Sequence, residues 1–500
     1  MAKIQAFGNF IGGQWVESSS RETFNSANPA SREVLGEFQK GNAKDVELAV
    51  KAAEKGFEEW SSTPAPRRGE VLFEVARVLR KEKQRLGELV TREMGKQLSE
   101  GLGDVQEAID VFEYMAGEGR RLLGYTTPSE LRNKFCMTTR RPVGIAGLIT
   151  PWNFPIAIPA WKASAALICG NSIVLKPSSD TPLCAIELVK VMQKAGVPDN
   201  VVNLVTGSGE GVGNVIVRHP KIRCLSFTGH RDTGAWILAN AGIKKVGLEM
   251  GGKNPIIVMD DADVELAVEG AVWGGFGTTG QRCTAASRVI VHEKIKNEFE
   301  EAFVEKTRKL KVGDGMTCDV GPLVNAAALE KTRKYVKLGK REGKLLSGGN
   351  ALTRSTGFFH EPTIFTNVKW DARIAQEEIF GPVVSVIPVK GFDEAIRAAN
   401  SIEYGLSTSI YTRDVNKAFL AIEKLDAGIT YVNASTIGAE VHLPFGGVKS
   451  TGNGTREAGQ EGIHEFSETK AVYVDYSGRL QRAQIDLESV PGSGKKGKTG

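Results

Sequence analysis

The sequence predicts an α/β protein built in two halves, and three observations carry that reading. Short, uniformly apolar runs ending in Pro, Gly, Ser or Thr alternate with helix-like segments, the alternation restarts near residues 250–255, and 500 residues exceed what one hydrophobic core normally serves. An apolar run without polar alternation suits a strand buried on both faces, as in a parallel sheet covered by helices.

The elements follow in order. Residues 44–120 carry apolar positions at helical spacing, as in VELAVKAAEKGFEEW and GEVLFEVARVLRKEKQRLGELVTREM. From residue 143, VGIAGLIT, NSIVLKP, NVVNLVTG and IRCLSFTG predict four strands, with TPLCAIELVKVMQKAGV a helix among them. NPIIVMD, ASRVIVHE, PVVSVIPVK and LSTSIYTRD predict the second series, with DVNKAFLAIEKLDAG a helix. Polar loops thus gather at strand C-termini, where open α/β sheets bind ligands. No short fixed period repeats, which argues against a solenoid.

Composition excludes several classes. Hydrophobic residues at 41% and charged residues at 25% are those of an ordinary globular protein, and the net charge of +5 is spread too evenly for a nucleic-acid footprint. No run approaches the length of a membrane span, and MAKIQAFGNFIGGQW lacks the apolar core and cleavage site of a signal peptide, so no membrane partner is expected. The cysteines at 136, 169, 184, 224, 283 and 318 form no CxxC pair, which predicts no metal site and a reduced, cytoplasmic setting. The end, VPGSGKKGKTG (490–500), has nothing apolar to bury and is expected to be a disordered tail.

One cysteine stands out. Cys283 lies in GGFGTTGQRCTAAS, residues 274–287, which reads like the start of a buried helix. A free cysteine is most often a small core residue. A nucleophilic one needs a lowered thiol pKa or a nearby base, donors for an oxyanion, and access for substrate. Gly277 and Gly280 offer the access, through a turn expected to present the thiol at a helix start. Asn153 in TPWNFP and Glu249 in LEMGGKNP each follow an apolar run, where an amide can donate to an oxyanion and a carboxylate of raised pKa can act as a base.

Seven stretches in this order, TPWNFP, KPS (176–178), FTGHRDTG (227–234), LEMGGKNP, GQRCT (280–284), EEIFGPV (377–383) and PFGG (444–447), resemble the aldehyde dehydrogenase superfamily over about residues 10–475. The resemblance implies two Rossmann-like parallel-sheet domains plus a small β oligomerisation hairpin. Residues 1–125 and 146–251 would bind NAD(P), 252–469 would form the catalytic domain, and 126–145 with 470–489 the oligomerisation domain, giving a homodimer or homotetramer. RNKFCMTTRRPVG (132–144) and KAVYVDYSGRLQRAQID (470–486) supply that ribbon.

The resemblance also assigns roles. Cys283 would attack an aldehyde, Asn153 and the Cys283 N–H would hold the oxyanion, and Glu249 would activate water against the thioester. Lys162 and Glu457 match positions tied to proton movement, which a structural ion pair would equally explain. The cofactor would lie against Ile149, Thr150, Trp152, Phe227, Thr228, Gly229, His230 and Gly251, with Lys176, Ser179, Gly209 and Gly213 toward its adenosine half and Glu378 and Phe380 at the nicotinamide. His230 departs from the serine the family often carries after FTG. NAD-preferring relatives place Glu where this chain has Ser179, so NADP is favoured over NAD, although Asp180 next door offers another carboxylate.

Phe154, Trp161, Phe276, Arg282 and Phe445 are expected to line or adjoin an aldehyde tunnel. Trp161 replaces the arginine of succinic semialdehyde relatives, and the texture resembles α-ketoglutaric semialdehyde dehydrogenases more than enzymes of general aliphatic or aromatic aldehydes. A CoA-acylating relative or a non-catalytic scaffold are the alternatives. Glu249 weighs against the first, and the presence of Cys283, Glu249 and Asn153 together against the second.

Overall fold

A computed structural model describes residues 4–352 and 356–486, so the expectation for 490–500 falls outside the described residues. All eight predicted strands are present, in two seven-stranded sheets. The first runs in the order Lys245–Glu249, Ile222–Thr228, Ile145–Ile149, Ser172–Lys176, Val202–Leu204, Asn9–Ile11 and Gln14–Val16. Its first five strands are parallel, while the last two form an antiparallel N-terminal hairpin that the sequence reading did not anticipate.

From Ile145–Ile149 the chain steps outward to Ser172–Lys176 and Val202–Leu204, then returns to place Ile222–Thr228 on the other side. Strand order reverses there. A crevice therefore opens beyond Ile149 and Thr228, as expected of a doubly wound sheet.

The second sheet has the order Lys344–Ser347, Thr363–Thr366, Val383–Val389, Ala286–His292, Asn254–Val258, Ser407–Tyr411 and Ile429–Val432, parallel except at the Lys344–Ser347 edge. The chain leaves the first sheet at Glu249 and enters the second at Asn254. That short link sets the C-terminal edge of one sheet beside the N-terminal edge of the other.

Helices Ala43–Ser62, Ala65–Met94 and Leu98–Glu118 cover the first half. Asn42 starts the first with a capping box, its side chain accepting from Lys44 N (2.8 Å) while Asp45 accepts from Asn42 N (2.9 Å). Trp60, 1% exposed, anchors that helix by donating Nε1–H to the Leu167 carbonyl at 2.8 Å. A third sheet pairs Ser467–Asp475 antiparallel with Lys134–Pro142, and the latter with Thr126–Pro128. Phe135, Tyr473 and Val474 lie exposed on it. Among the described residues no helix is long and apolar enough to cross a membrane.

Candidate active site

Two cavities meet at Cys283. The larger, about 320 Å³, has Trp152, Asn153, Thr228, Gly229, His230, Gly251, Glu378 and Phe380 in its wall. The smaller, about 130 Å³, has Phe154, Trp161, Glu249, Arg282, Phe445 and Glu457. Thr228, Met250 and Cys283 border both. A thiol, an amide and a carboxylate distant in sequence therefore converge on one space.

The backbone around Cys283 differs from the expected helix start. Helix Val264–Phe276 ends before it, a tight turn covers Gly277–Gly280, and the thiol sits in irregular chain ahead of strand Ala286–His292. Consecutive positive φ values at Thr278 (50°), Thr279 (59°) and Gly280 (67°) stop the helix. A Cβ on Gly280 would lie 2.4 Å from the Gly381 carbonyl oxygen, so this crossing needs glycine. Asn254 then fixes the loop, donating Nδ2–H to the carbonyls of Cys283 (2.7 Å) and Ala285 (2.9 Å).

Among the described residues the Cys283 N–H has no hydrogen-bond acceptor. Asn153 Nδ2 donates to the Gln281 carbonyl at 3.1 Å, which holds the amide beside the thiol with a second N–H to spare. The thiol itself is not acidified. Burial, then the Glu249 and Glu378 carboxylates, push it up to about 12.

Glu249 ends its strand, 3% exposed, and neither carboxylate oxygen has a hydrogen-bond partner among the described residues. Burial, reinforced by Glu457 and opposed by Lys162, holds its pKa well above the usual carboxylate range. Behind it Lys162 binds Glu457 and donates to Ser226 Oγ at 2.8 Å. This buried pair places a cation and a second carboxylate beside the base, at the cavity's rear wall.

On the larger cavity's far side, Phe380 adopts φ 60° and sets its ring edge-on to Trp152, centroids 5.4 Å apart. Glu378 accepts from Gly252 N at 3.0 Å, and a Cβ on Gly251 would lie 2.4 Å from its Oε2. His230 caps helix Arg231–Asn240, its Nδ1 accepting from Asp232 N at 3.3 Å. The buried hydroxyls of Thr150 and Thr228 have no partner among the described residues. A helix N-terminus, unsatisfied hydroxyls and an aromatic edge are a set that a dinucleotide's phosphates and ring would satisfy.

Other predicted residues lie outside both walls. Lys176 is buried, donates Nζ–H to the Pro177 carbonyl at 2.8 Å and is lowered by burial to about 8; Gly213 faces its stem. Gly209 opens the same single turn, Gly209–Gly213. Ser179 Oγ donates to the Gly207 carbonyl at 3.0 Å, and the Asp180 carboxylate is already engaged by Asn325 Nδ2 at 3.0 Å. Phe227 and Ile149 turn their side chains into the core of the first sheet. Phe276 does not reach the tunnel: it is 1% exposed and stacks on Phe303 in the core of the second half, because the helix carrying it ends facing inward. Sequence reasoning missed Glu107 and Ile158 in the smaller wall and Asn325 and Lys331 in the larger. Glu107, Ile158 and Lys331 sit within helices, without turn or motif signals, while Asn325 caps the helix that carries Lys331.

Two doubly wound halves meet around a cysteine, with a side-chain amide and a buried carboxylate at their seam, the scaffold of a two-domain α/β oxidoreductase. Residues 15–472 match the Aldehyde dehydrogenase family, and the chain belongs to it. It is 42% identical over 476 residues to "Alpha-ketoglutarate semialdehyde dehydrogenase" of Haloferax volcanii, covering 94% of this chain and 99% of that one. Identity is 40% to "Alpha-ketoglutaric semialdehyde dehydrogenase" of Bacillus subtilis, with 93% and 97% covered. Betaine aldehyde dehydrogenase of Staphylococcus aureus, solved in complex with NAD+, superposes with a TM-score of 0.92 at 36% identity, covering 95% of each chain.

Proposed function

We propose that this aldehyde dehydrogenase oxidises a semialdehyde to the dicarboxylic acid level through Cys283, with NADP preferred over NAD. The observation that carries the reading is the meeting of two cavities at Cys283, with Asn153 in one wall and Glu249 in the other. Relatives named for α-ketoglutaric semialdehyde support the substrate class.

The chemistry divides between the cavities. As its proton passes to solvent, Cys283 Sγ bonds to the aldehyde carbon and the C=O π pair moves onto oxygen, where the oxyanion is held by Asn153 Nδ2–H and the Cys283 N–H. When bound in the larger cavity, the nicotinamide supplies the hydride acceptor. Trp152, Phe380 and Glu378 would hold it there, and loss of hydride leaves a thioester on sulfur. Glu249 then takes a proton from water, whose oxygen bonds to the acyl carbon as the C–S bond breaks, releasing carboxylic acid and thiol. Lys162 and Glu457 stand where that proton can be shared onward. Glu249 favours water over a CoA thiol in this step, because a thiol needs no buried carboxylate to attack.

Residues 1–125 with 146–251 form the cofactor-binding unit in this reading, 252–469 the catalytic one, and the exposed sheet of 126–145 with 470–486 meets a second copy in a homodimer or homotetramer. The setting is cytoplasmic. Ser179 rather than Glu beside Lys176 leaves room for a 2′-phosphate. Reduced-nicotinamide absorbance on mixing the protein, either nucleotide and a panel of aldehydes tests the whole reading. Turnover should be lost in Cys283→Ala while nucleotide binding persists; retained turnover would remove Cys283 as nucleophile.

A further inference from the structure

Helix Leu98–Glu118 carries Glu100, Asp104 and Glu107 on its way past the smaller cavity, and the first two are spoken for. Glu100 Oε1 accepts from Arg282 Nη2 and from Thr278 N, each at 2.8 Å. Asp104 accepts from Lys96 Nζ at 2.9 Å and from Ala157 N at 2.7 Å. Glu107 lines the cavity yet has no hydrogen bond or ion pair among the described residues. Such a carboxyl, half-buried in the cavity wall, leaves its bonding capacity for something that enters.

Arg282 borders the same space. Its Nε donates to Thr278 Oγ1 at 2.8 Å and its Nη2 to Glu100, while Nη1 has no partner among the described residues; its guanidinium lies 5.2 Å from the Phe154 ring centroid. That leaves one free cationic edge and, besides Glu249, one free carboxyl in a wall that also includes Phe154, Ile158, Trp161 and Phe445.

We propose that Glu107 is a specificity-determining residue of this pocket, its carboxyl O–H acting with Arg282 to hold the distal carboxylate of a semialdehyde. The proposal rests on the semialdehyde reading above and names the groups that would carry it. An ionised Glu107 would repel such a tail. Burial, then Asp104, raise this carboxyl to about 7, with Asp110 adding and Arg282 and Lys96 opposing. Glu249 and Glu457 line the same cavity and add negative charge. At neutral pH and below, Glu107 is therefore available as a donor, and two carboxyl groups can share one proton as like-charged pairs do. The sign follows: affinity for an anionic tail is full below the Glu107 pKa and is lost as pH rises through it.

The test compares KM for glutaric semialdehyde with KM for pentanal, an uncharged aldehyde of equal chain length, over about pH 6 to 9. In the wild-type holoenzyme the ratio of the two should climb, approaching about tenfold per pH unit above neutrality. Glu107→Gln keeps a donor but cannot ionise, and should flatten the ratio. A constant wild-type ratio, or a Glu107→Gln ratio that still climbs, would overturn the role of Glu107 while leaving semialdehyde oxidation standing. Pentanal oxidised with no semialdehyde turnover at any pH would overturn the substrate reading and this proposal together.

Discussion

The larger cavity is walled mainly by strand ends and the backbone between them, at Trp152–Asn153, Thr228–His230, Met250–Gly251 and Glu378–Phe380, with the start of helix Ala326–Glu342 completing it. The smaller takes its walls from side chains of separate segments: Glu107 on one helix, Ile158 and Trp161 on another, Arg282 on the cysteine loop, Phe445 near the C-terminus. A space bounded by turns constrains backbone and admits few residues at each place. A space bounded by helix faces constrains little beyond volume and charge. One wall is thus suited to a fixed ligand, the other to whatever aldehyde a branch of the family needs.

The sharpest way to break this division is to remove Glu249, which faces the smaller cavity alone. Glu249→Gln should leave the first hydride transfer measurable while steady turnover falls by about 10²- to 10⁴-fold, giving a burst of reduced cofactor in stopped flow. An unchanged steady rate would mean that the base lies elsewhere. Asn153→Ala, from the larger wall, should slow both halves of the reaction by about 10²- to 10³-fold, since each passes through an oxyanion. Single-turnover and steady rates falling together would mark that difference; loss confined to deacylation would place Asn153 with Glu249 instead.

Cys283 offers a finer comparison, because Glu249 presses on it from one cavity and Glu378 from the other. With the thiol held up to about 12, its alkylation by iodoacetamide should still be accelerating through alkaline pH, after subtracting the Cys283→Ala background. Neutralising either carboxylate removes a negative neighbour and lowers the thiol pKa, so Glu249→Gln and Glu378→Gln should each shift the rising limb to lower pH. Glu249 is the larger of the two influences. Its variant should shift the limb further.

The same contrast explains what the sequence could show. All eight runs read as strands are strands, and Trp152, Asn153, Thr228, Gly229, Glu249 and Gly251, at or just past strand ends, reach the crevice, because Gly, Pro and aromatic residues at a strand terminus leave a local chemical mark. Thr363–Thr366 and Ile429–Val432 were not anticipated, being four residues long and without a periodic signal. Glu107 looks in sequence like any charged position on an amphipathic helix; only the packing of Leu98–Glu118 against Ala157–Cys169 and the cysteine loop turns it toward the cavity. Phe276 failed in the opposite sense, since adjacency to a reactive loop does not say which way a ring points.

The smallest expected effect lies at the far end of the cofactor side. Ser179 spends its hydroxyl on the Gly207 carbonyl, and Asp180, the carboxylate that might have gripped a ribose in place of glutamate, is held by Asn325. Lys176, buried and lowered to about 8, is then the cation nearest in sequence to any 2′-phosphate, and a phosphate beside it would favour its charged form. Ser179→Glu restores a carboxylate that repels the phosphate and accepts from ribose hydroxyls. It should raise KM for NADP several-fold relative to that for NAD, with kcat for either changed little, since Ser179 lines neither cavity. Asn325→Ala provides the counter-test by freeing Asp180: if the released carboxylate reaches the ribose, discrimination moves toward NAD as in Ser179→Glu. Equal changes for the two nucleotides in both variants would show that neither position reads the phosphate, and that preference is set by backbone around Gly209–Gly213 instead.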